Sequence, residues 1–192
     1  MGHIEAQREL PARVDAVWAM LADASTWADW FTIDEKWLCE VPRMLTEGTR
    51  LAAKIVMLGM ANKIEWTVDT IDAPRRLSMS GTGMAGVKCA FTFNLEPAGH
   101  RAARFTLSGD FEGALIKGAL GKAVEKDGAK QLDKTLAQLT GLAVAHTRVL
   151  ESAEQAKDRP NAAVISTASG RAPRFPTPVR PITARPRRRS RR

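Results

Sequence analysis

One stretch constrains the fold more than any other, because its pattern is that of a long amphipathic helix. Between residues 112 and 139, apolar residues recur at the three- and four-residue spacing that places them on one helix face. These residues are Leu115, Ile116, Ala119, Leu120, Ala123, Val124, Leu132, Leu136 and Leu139. Lysine and aspartate fill most of the opposite face. Such a helix needs a large apolar partner, and the alternating segments before it offer one.

The segments between residues 3 and 110 alternate apolar and polar residues with a period of two, which is typical of half-buried antiparallel strands. In the clearest case Ile64, Trp66 and Val68 alternate with polar residues. Turn-forming glycine and proline separate the segments, so consecutive strands are expected to pair as a meander. The predicted strands are 3–9, 36–41, 49–58, 61–72, 76–80, 87–95 and 104–110.

Two short helices are predicted between the first two strands. Pro11 stands where proline suits a helix start, and the apolar spacing after it predicts a helix over residues 12–22. Ser25 is expected to cap a second helix, which gathers Trp27 and Trp30 into an aromatic core cluster. The chain therefore predicts an α+β fold: a curved antiparallel sheet of about six to seven strands, two short N-terminal helices and one long C-terminal helix across the sheet.

Charge divides the chain into a folded part and a basic tail. Residues 1–158 carry 19 basic and 21 acidic residues, whereas residues 159–192 carry ten arginines and no acidic residue. The basic pI therefore belongs to the tail, and it does not indicate a nucleic-acid-binding domain. We expect a domain over residues 1–140, a helical extension over 141–158 with a break at Gly141, and a disordered Arg- and Pro-rich tail over 159–192.

Two interpretations of the tail stay open: a basic arm that contacts anionic nucleic acid or membrane lipid, and an extension without a selected role. The N-terminus lacks the apolar segment of a signal peptide, and no run is apolar for long enough to span a membrane. Cys39 and Cys89 form no disulfide or metal pattern and are expected as buried free thiols. These features predict a cytoplasmic protein.

The inward rows of the predicted sheet and the facing helix residues outline a candidate ligand cavity. In one interpretation these side chains simply fill each other's space. In the other, a strongly curved sheet beneath one helix leaves room for an apolar guest, a small molecule or a lipid. The candidate cavity residues are Leu51, Ile55, Met57, Ile64, Trp66, Val68, Leu77, Met79, Phe91, Phe93, Phe105, Leu107, Leu115, Leu120 and Val124.

Glycine is unusually frequent in the predicted long helix, at Gly113, Gly118, Gly121 and Gly128. Each costs about 0.5–1 kcal/mol relative to alanine inside a helix. Two explanations stay open: close packing of the helix against the sheet, and a first half of the helix that bends to admit a ligand.

Residues with catalytic chemistry are scattered, so we predict no catalytic residue, no metal site and no cofactor. His3, His100 and His146 are expected on the surface, without a nucleophile nearby. The glycine-rich segment 81–86 lacks the lysine and the following helix of a phosphate-binding loop, and it is predicted to form a hairpin or bulge.

A few polar residues keep an enzymatic function open. Asp110 and Glu112 flank the entrance to the long helix, where Glu112 is expected to stabilise the helix dipole and Asp110 to end a strand. Acting as a pair, the two carboxylates would supply an acid and a base. Asn62, Glu65 and Thr67 would offer polar contacts to a ligand if the strand register differed by one residue.

The N-terminal helices carry the signature of a known family. Within PARVDAVWAMLADASTWADWF, its elements are Pro11, Val17-Trp18, Leu21-Ala22-Asp23, Trp27 and Trp30. In this order and spacing the chain resembles the START-like, or SRPBCC, superfamily of polyketide cyclase/dehydrase and lipid-transport type, over residues 3–140. The segments LTEGTRL, GMANKIEWTVD, GTGMAGVK and DFEGALIKGALGK are similar to a bacterial branch described as toxins of type II toxin–antitoxin pairs.

The resemblance implies a helix-grip fold, in which the long C-terminal helix closes a deep apolar cavity. It implies binding of a hydrophobic small molecule or lipid as the leading function. A toxin paired with a small antitoxin protein is the alternative, and a polyketide cyclase/dehydrase-like enzyme is a further one. The superfamily shares no set of catalytic residues, so none is transferred to this chain.

Overall fold

The computed structural model of the protein describes residues 2–113 and 116–157, and it shows a seven-stranded antiparallel sheet curled under one long helix. The strands are β1 Gly2–Leu10, β2 Asp34–Trp37, β3 Arg50–Met57, β4 Met60–Asp72, β5 Arg76–Gly83, β6 Lys88–Gly99 and β7 Ala102–Glu112. Their order is β1-β7-β6-β5-β4-β3-β2, so every pair of adjacent strands is consecutive in the chain except β1 and β7. This is the helix-grip fold of the α+β class, as predicted.

The inner face of the sheet is built from the alternating apolar residues of each strand. On β6, Phe91 and Phe93 are buried, whereas Thr92 between them is half-buried. Phe91 lies opposite Met79 of β5 and Gly109 of β7. Because strand residues two apart share a face, this register puts most of the large inward side chains into one continuous core.

Two inward glycines make room for aromatic neighbours in that core. A Cβ atom at Gly81 would lie 2.5 Å from the ring of Trp66, and one at Gly109 would lie 2.6 Å from the ring of Phe91. Real Cβ atoms do not approach carbon this closely, so a side chain at either position would displace a ring. The sheet therefore packs its largest side chains directly over positions that carry none.

The N-terminal helices are α1, Val14–Ala22, and a 3-10 helix, Ala24–Asp29. The prediction that Ser25 caps the second helix is wrong, because Asp23 does so. The Asp23 Oδ1 accepts a hydrogen bond from the Ser25 backbone N–H at 3.0 Å. A carboxylate at the N-cap satisfies a free backbone donor and favours the positive end of the helix, so the cap lies two residues earlier than expected.

An aromatic cluster joins the 3-10 helix to the sheet. Trp27, Trp30 and Phe31 are buried, and the ring centroid of Trp27 lies 5.3 Å from that of Phe93. The indole N–H of Trp27 donates to the backbone oxygen of Leu21 at 3.0 Å, so its one polar group is satisfied inside the core. The tryptophan-rich segment therefore fills one half of the curled sheet.

The long helix α2, Gly118–Lys157, begins six residues later than predicted. The chain continues β7 through Phe111 and Glu112, because Phe111 extends the inward row and Glu112 pairs opposite Lys88. Glu112 therefore lies on a strand, and the expectation that it stabilises the helix dipole is wrong. The first residue of α2, Gly118, has φ +59°, a left-handed conformation that glycine adopts without steric cost.

The helix also continues through Gly141, so the predicted break is wrong. Gly141 is exposed, and an added Cβ would meet no atom within 4 Å, so this glycine neither packs against a neighbour nor turns the chain. Its cost of about 1 kcal/mol is too small to interrupt a helix whose inner face is packed on both sides of it. Leu139 and Ala143 provide that packing.

The buried stripe of α2 differs from the predicted one at its start. Leu132, Leu136 and Leu139 are buried as expected, but Leu120 is 40% exposed. The first turn of the helix therefore lies beyond the packed sheet. Further along, a Cβ at Gly128 would lie 2.9 Å from Ile4, so this glycine lets α2 approach β1 closely.

Three hydrogen bonds, at two places, fix the helix over the sheet. The Thr32 backbone N–H donates to Thr135 Oγ1 at 3.1 Å, and the Thr32 hydroxyl donates to the backbone oxygen of Gln131 at 3.0 Å. Nearer the start of α2, the Leu58 backbone N–H donates to Asp127 Oδ2 at 2.9 Å. The β3–β4 hairpin and the loop after the 3-10 helix are thereby attached to α2.

Strand boundaries differ from prediction at the sheet ends. β2 ends at Trp37, so Cys39 lies in an exposed segment, and the expectation that it is buried is wrong. β6 continues through Pro97, which pairs with Ala103 beyond the end of β5, where its missing N–H costs no ladder bond. Among the described helices, none is long and apolar enough to cross a bilayer. Leu115 and residues 158–192, including the predicted tail, lie outside the described residues.

Candidate functional site

A cavity of about 270 Å³ lies where one end of the sheet meets the start of α2. The wall is formed by the end of β3, the start of β4, the β5–β6 turn, the adjoining ends of β6 and β7, and the chain from 116 to 124. Its lining residues are Ile55, Met57, Met60, Ala61, Asn62, Met84, Ala85, Val87, Cys89, Phe111, Ile116, Leu120 and Val124. All but Asn62 and Cys89 are apolar.

The structure brings four of the candidate cavity residues to this wall: Ile55, Met57, Leu120 and Val124. Ten others lie in the packed core, each at most 3% exposed. These ten are Leu51, Ile64, Trp66, Val68, Leu77, Met79, Phe91, Phe93, Phe105 and Leu107. The fifteenth, Leu115, is outside the described residues.

The aromatic cluster explains why the hollow is confined to one end. Phe93 is fully buried, and its ring contacts those of Trp27, Trp30, Phe31 and Phe105 with centroids between 5.3 and 6.5 Å apart. Rings at such distances leave no room for a guest. The cluster therefore fills the inner face of the sheet next to the 3-10 helix, and the cavity is confined to the end beside the start of α2.

Sequence reasoning missed the β5–β6 turn as part of the site. The segment predicted as a glycine-rich hairpin continues β5 to Gly83 and then makes a short 3-10 turn, Met84–Gly86. Ala85 has φ +56° and Gly86 φ +72°, so the chain folds back sharply and turns Met84 and Ala85 toward the cavity. The glycines were the available signal, but spacing alone does not show which face such a turn covers.

The mouth of the cavity is rimmed by exposed apolar side chains. Met60 and Met84 are 56% and 60% exposed, Leu120 is 40% exposed, and Leu58 at the adjacent hairpin tip is 37% exposed. Large apolar residues are usually buried, so their grouping around one opening indicates a contact surface or an entrance. The bond from Leu58 to Asp127 holds the hairpin side of this opening against α2.

Two polar side chains line the cavity. Asn62 Oδ1 accepts a hydrogen bond from the Met84 backbone N–H at 3.0 Å, which ties β4 to the β5–β6 turn. Cys89 Sγ donates to the Gly81 backbone oxygen at 3.7 Å, and burial raises the pKa of the Cys89 thiol to about 12. Cys89 therefore keeps its proton at neutral pH and behaves as a small apolar group.

The Cys89 thiol gives a direct probe of the cavity. In a Cys39→Ser variant, the rate of alkylation of Cys89 by a small neutral reagent is expected to rise about tenfold per unit between about pH 8 and pH 10, because only the thiolate reacts. Mass spectrometry of quenched samples measures the rate. A rate that levels off below about pH 10 would contradict the raised pKa, and a bound apolar guest is expected to slow the reaction at every pH.

The carboxylates considered as an acid–base pair lie on the outer face of the sheet, pointing away from the cavity. His3 Nδ1 and Asp110 Oδ1 are 2.7 Å apart, and Lys88 Nζ lies 3.5 Å from Glu112 Oε1. All four side chains are at least 45% exposed. Phe111 between the two carboxylates is the residue that faces the cavity, because alternate strand residues point to opposite faces.

The three other polar residues considered as ligand contacts also lie on different faces of the sheet. Glu65 and Thr67 line shallow grooves on the outer face, whereas Asn62 lines the cavity. No register shift is needed for this, because Asn62 lies two residues before the inward Ile64. Within residues 2–113 and 116–157, no group of three or more His, Cys, Asp or Glu side chains is placed to hold a metal ion.

Comparisons with known proteins add a family and a fold. A sequence model of the family described as "Polyketide cyclase / dehydrase and lipid transport" matches residues 1–143. The uncharacterised protein Rv1546 of Mycobacterium tuberculosis is 28% identical over 142 residues, which are 74% of this chain and 99% of that protein. The toxin Rv0910 of the same species is 26% identical over 100 residues, which are 52% of this chain and 69% of that protein.

Two solved structures share the fold. A START superfamily protein from Mycobacterium smegmatis has a TM-score of 0.62 at 15% identity, over 76% of this chain and 99% of that one. The Zhui aromatase/cyclase from Streptomyces sp. R1128 has a TM-score of 0.61 at 20% identity, over 76% of this chain and 94% of that one. At these identities the similarity concerns the arrangement of the sheet and helices and not the chemistry of the cavity.

Proposed function

The chain belongs to the polyketide cyclase/dehydrase and lipid transport family, and from this premise we propose that it binds one apolar small molecule in the cavity beside the start of α2. The observation that carries the proposal is the cavity itself, whose wall is apolar apart from Asn62 and Cys89. The cavity is lined mainly by Met, Ile, Leu, Val and Phe. Binding of an apolar guest of matching shape lowers the free energy, because the guest removes apolar surface from water or fills empty space.

The cavity volume sets the size of the guest. An apolar protein cavity of about 150 Å³ holds one benzene molecule. At about 270 Å³, this cavity suits a guest of two fused rings or a short aliphatic chain. A longer chain would extend through the mouth, where the exposed side chains of Met60, Met84 and Leu120 would cover it.

Methionine adapts the wall to guests of different shape. Met57, Met60 and Met84 line the cavity, and their unbranched thioether side chains change rotamer at low cost. The same feature is common at surfaces that bind several related partners. Among guests that fit the cavity, we therefore expect affinity to follow the size and apolar area of the guest more closely than its detailed outline.

The test is a size series of aromatic hydrocarbons titrated into the full chain by calorimetry. Benzene, naphthalene and pyrene are the probes, and the affinity is expected to peak at naphthalene, because pyrene exceeds the cavity. Native mass spectrometry of the freshly purified protein would detect a guest retained from the cell. Absence of binding by all three hydrocarbons, together with an unchanged melting temperature, would overturn the proposal.

A second function is favoured by the relatives that are named toxins. On this proposal the protein arrests growth and a small antitoxin protein binds it. Expression of the chain alone is expected to slow growth, and co-expression of the neighbouring small open reading frame to restore it. Normal growth without the partner would remove the idea. Guest binding and toxicity are compatible, because the partner protein would meet the surface and the guest the interior.

An enzyme of the cyclase/dehydrase type is the weaker candidate. General acid–base catalysis needs groups that exchange protons near neutral pH within reach of the substrate. On the described cavity wall, the amide of Asn62 does not titrate and the thiol of Cys89 holds its proton because burial raises its pKa to about 12. Asp110 and Glu112 lie on the opposite face of the sheet. Binding is therefore ranked first.

A further inference from the structure

We infer that Asn62 selects guests that carry one hydrogen-bond acceptor, such as a ketone, ester or amide oxygen, on an otherwise apolar body. This inference rests on the proposed binding function and specifies the chemical class of the guest. It depends on the orientation of the Asn62 amide, on the space around that amide, and on how the other polar groups of the wall are engaged.

The position of Asn62 is set by the sheet. It lies on β4 opposite Ile55 of β3, two residues before Ile64, and therefore on the inner face. Its side chain is half-buried and lines the cavity. An amide is an unusual choice for this position, because the neighbouring inward positions are apolar and a buried amide without partners costs free energy.

One end of the amide is fixed. The Met84 backbone N–H donates to Asn62 Oδ1 at 3.0 Å, and this bond identifies which atom of the amide is oxygen, because a backbone N–H requires an acceptor. The Nδ2 group then carries two N–H donors, and no atom of the described residues accepts from either. The donors are held in place by the bond that the oxygen makes.

Space is reserved for this amide by Gly83. A Cβ atom at Gly83 would lie 3.0 Å from Asn62 Oδ1 and 3.2 Å from Nδ2, and 2.5 Å from a methyl carbon of Ile64. A side chain at that position would therefore displace the amide from its present orientation. The backbone φ of Gly83 is −118°, which any residue adopts, so the close approach and not the conformation explains why glycine stands there.

Asn62 is the one lining side chain in the described cavity wall with a free donor. Cys89, the other polar side chain, donates its S–H to Gly81. A guest oxygen near Nδ2 therefore meets two N–H donors that no described residue uses, whereas a guest hydroxyl or amine proton meets only the one lone pair of Oδ1 that the Met84 N–H leaves. The cavity thus favours acceptors over donors, and one neutral hydrogen bond of this kind changes affinity by about two- to tenfold.

The experiment uses two probes of nearly the same size, 2-acetylnaphthalene and 2-ethylnaphthalene, which differ by a carbonyl oxygen. Calorimetry measures both dissociation constants for the full-length chain and for two variants. Asn62→Asp keeps an oxygen that accepts from Met84 and replaces the donor, and Asn62→Leu removes both. The affinity ratio of ketone to hydrocarbon is expected to fall about two- to tenfold in each variant.

A third variant tests the orientation of the amide rather than its identity. Gly83→Ala is expected to lower the same ratio, because the new methyl group displaces an unchanged Asn62. An equal ratio in the wild-type protein, Asn62→Asp and Asn62→Leu would overturn the inference while leaving guest binding intact. Failure of both probes to bind the wild-type protein would instead contradict the proposed function, so the two outcomes are distinguishable.

Discussion

Replacing Phe93 with alanine is expected to lower the free energy of unfolding by about 3–5 kcal/mol, which is a large share of the stability of a typical domain. Phe93 is fully buried on β6, and its ring meets Trp27, Trp30, Phe31 and Phe105. Removing the ring leaves a cavity among rigid aromatic neighbours, which cannot collapse to fill it. The loss of contacts therefore adds to the loss of buried area.

Urea denaturation, followed by circular dichroism, measures this loss. Phe93→Leu is the control, because it keeps most of the apolar volume and is expected to cost clearly less than the alanine variant. Below the unfolding transition, Phe93→Ala is expected to bind naphthalene as the wild-type protein does, since Phe93 does not line the cavity. A cost under about 1 kcal/mol would show that the aromatic half of the sheet is loosely packed.

The aromatic half is also the part that local pattern predicts best. A dense run of tryptophan beside a helix start predicts a core cluster, and period-two alternation identifies the inward residues of β4 and β6. Both patterns are local, so what they predict does not depend on how the rest of the chain folds. They show which face a residue occupies but not how far along the strand the packed region extends. This explains why ten of the candidate cavity residues lie in the core.

The position of the cavity depends on contacts between residues that are far apart in the sequence. Phe111 and Glu112 are both compatible with the start of a helix, and their place at the end of β7 is decided by pairing with Cys89 and Lys88. That pairing moves the start of α2 to Gly118 and leaves Leu120 beyond the packed sheet. The cavity is the space beneath the first turns of the helix. No periodicity in the sequence predicts its position.

Asn62 illustrates a different limit. Its parity with Ile64 and Trp66 places it on the inner face, so its position was available from the pattern. Its role was not, because a lone amide within an apolar strand is equally compatible with a surface contact. The contact with Met84, 22 residues away along the chain, gives the amide an orientation. Long-range contacts of this kind set the geometry of a site and are not visible in local spacing.

The second large effect is expected from Val124→Trp, which should lower the affinity for naphthalene at least about tenfold. Val124 lines the cavity on α2 and is 5% exposed. The indole ring is larger than benzene, and benzene occupies an apolar cavity of about 150 Å³. More than half of the 270 Å³ is therefore taken up, and the remaining space is too small for two fused rings.

The free energy of unfolding of this variant is expected to fall by at most about 1–3 kcal/mol, less than in Phe93→Ala, because the added ring fills existing space. Lys122→Trp is the matched control: it adds the same ring at an exposed position of the same helix that does not line the cavity. Its affinity for naphthalene should equal that of the wild-type protein. Unchanged affinity in Val124→Trp would place the guest elsewhere. Together with Phe93→Ala, the variant separates two roles of apolar side chains, since Phe93→Ala mainly lowers stability and Val124→Trp mainly lowers binding.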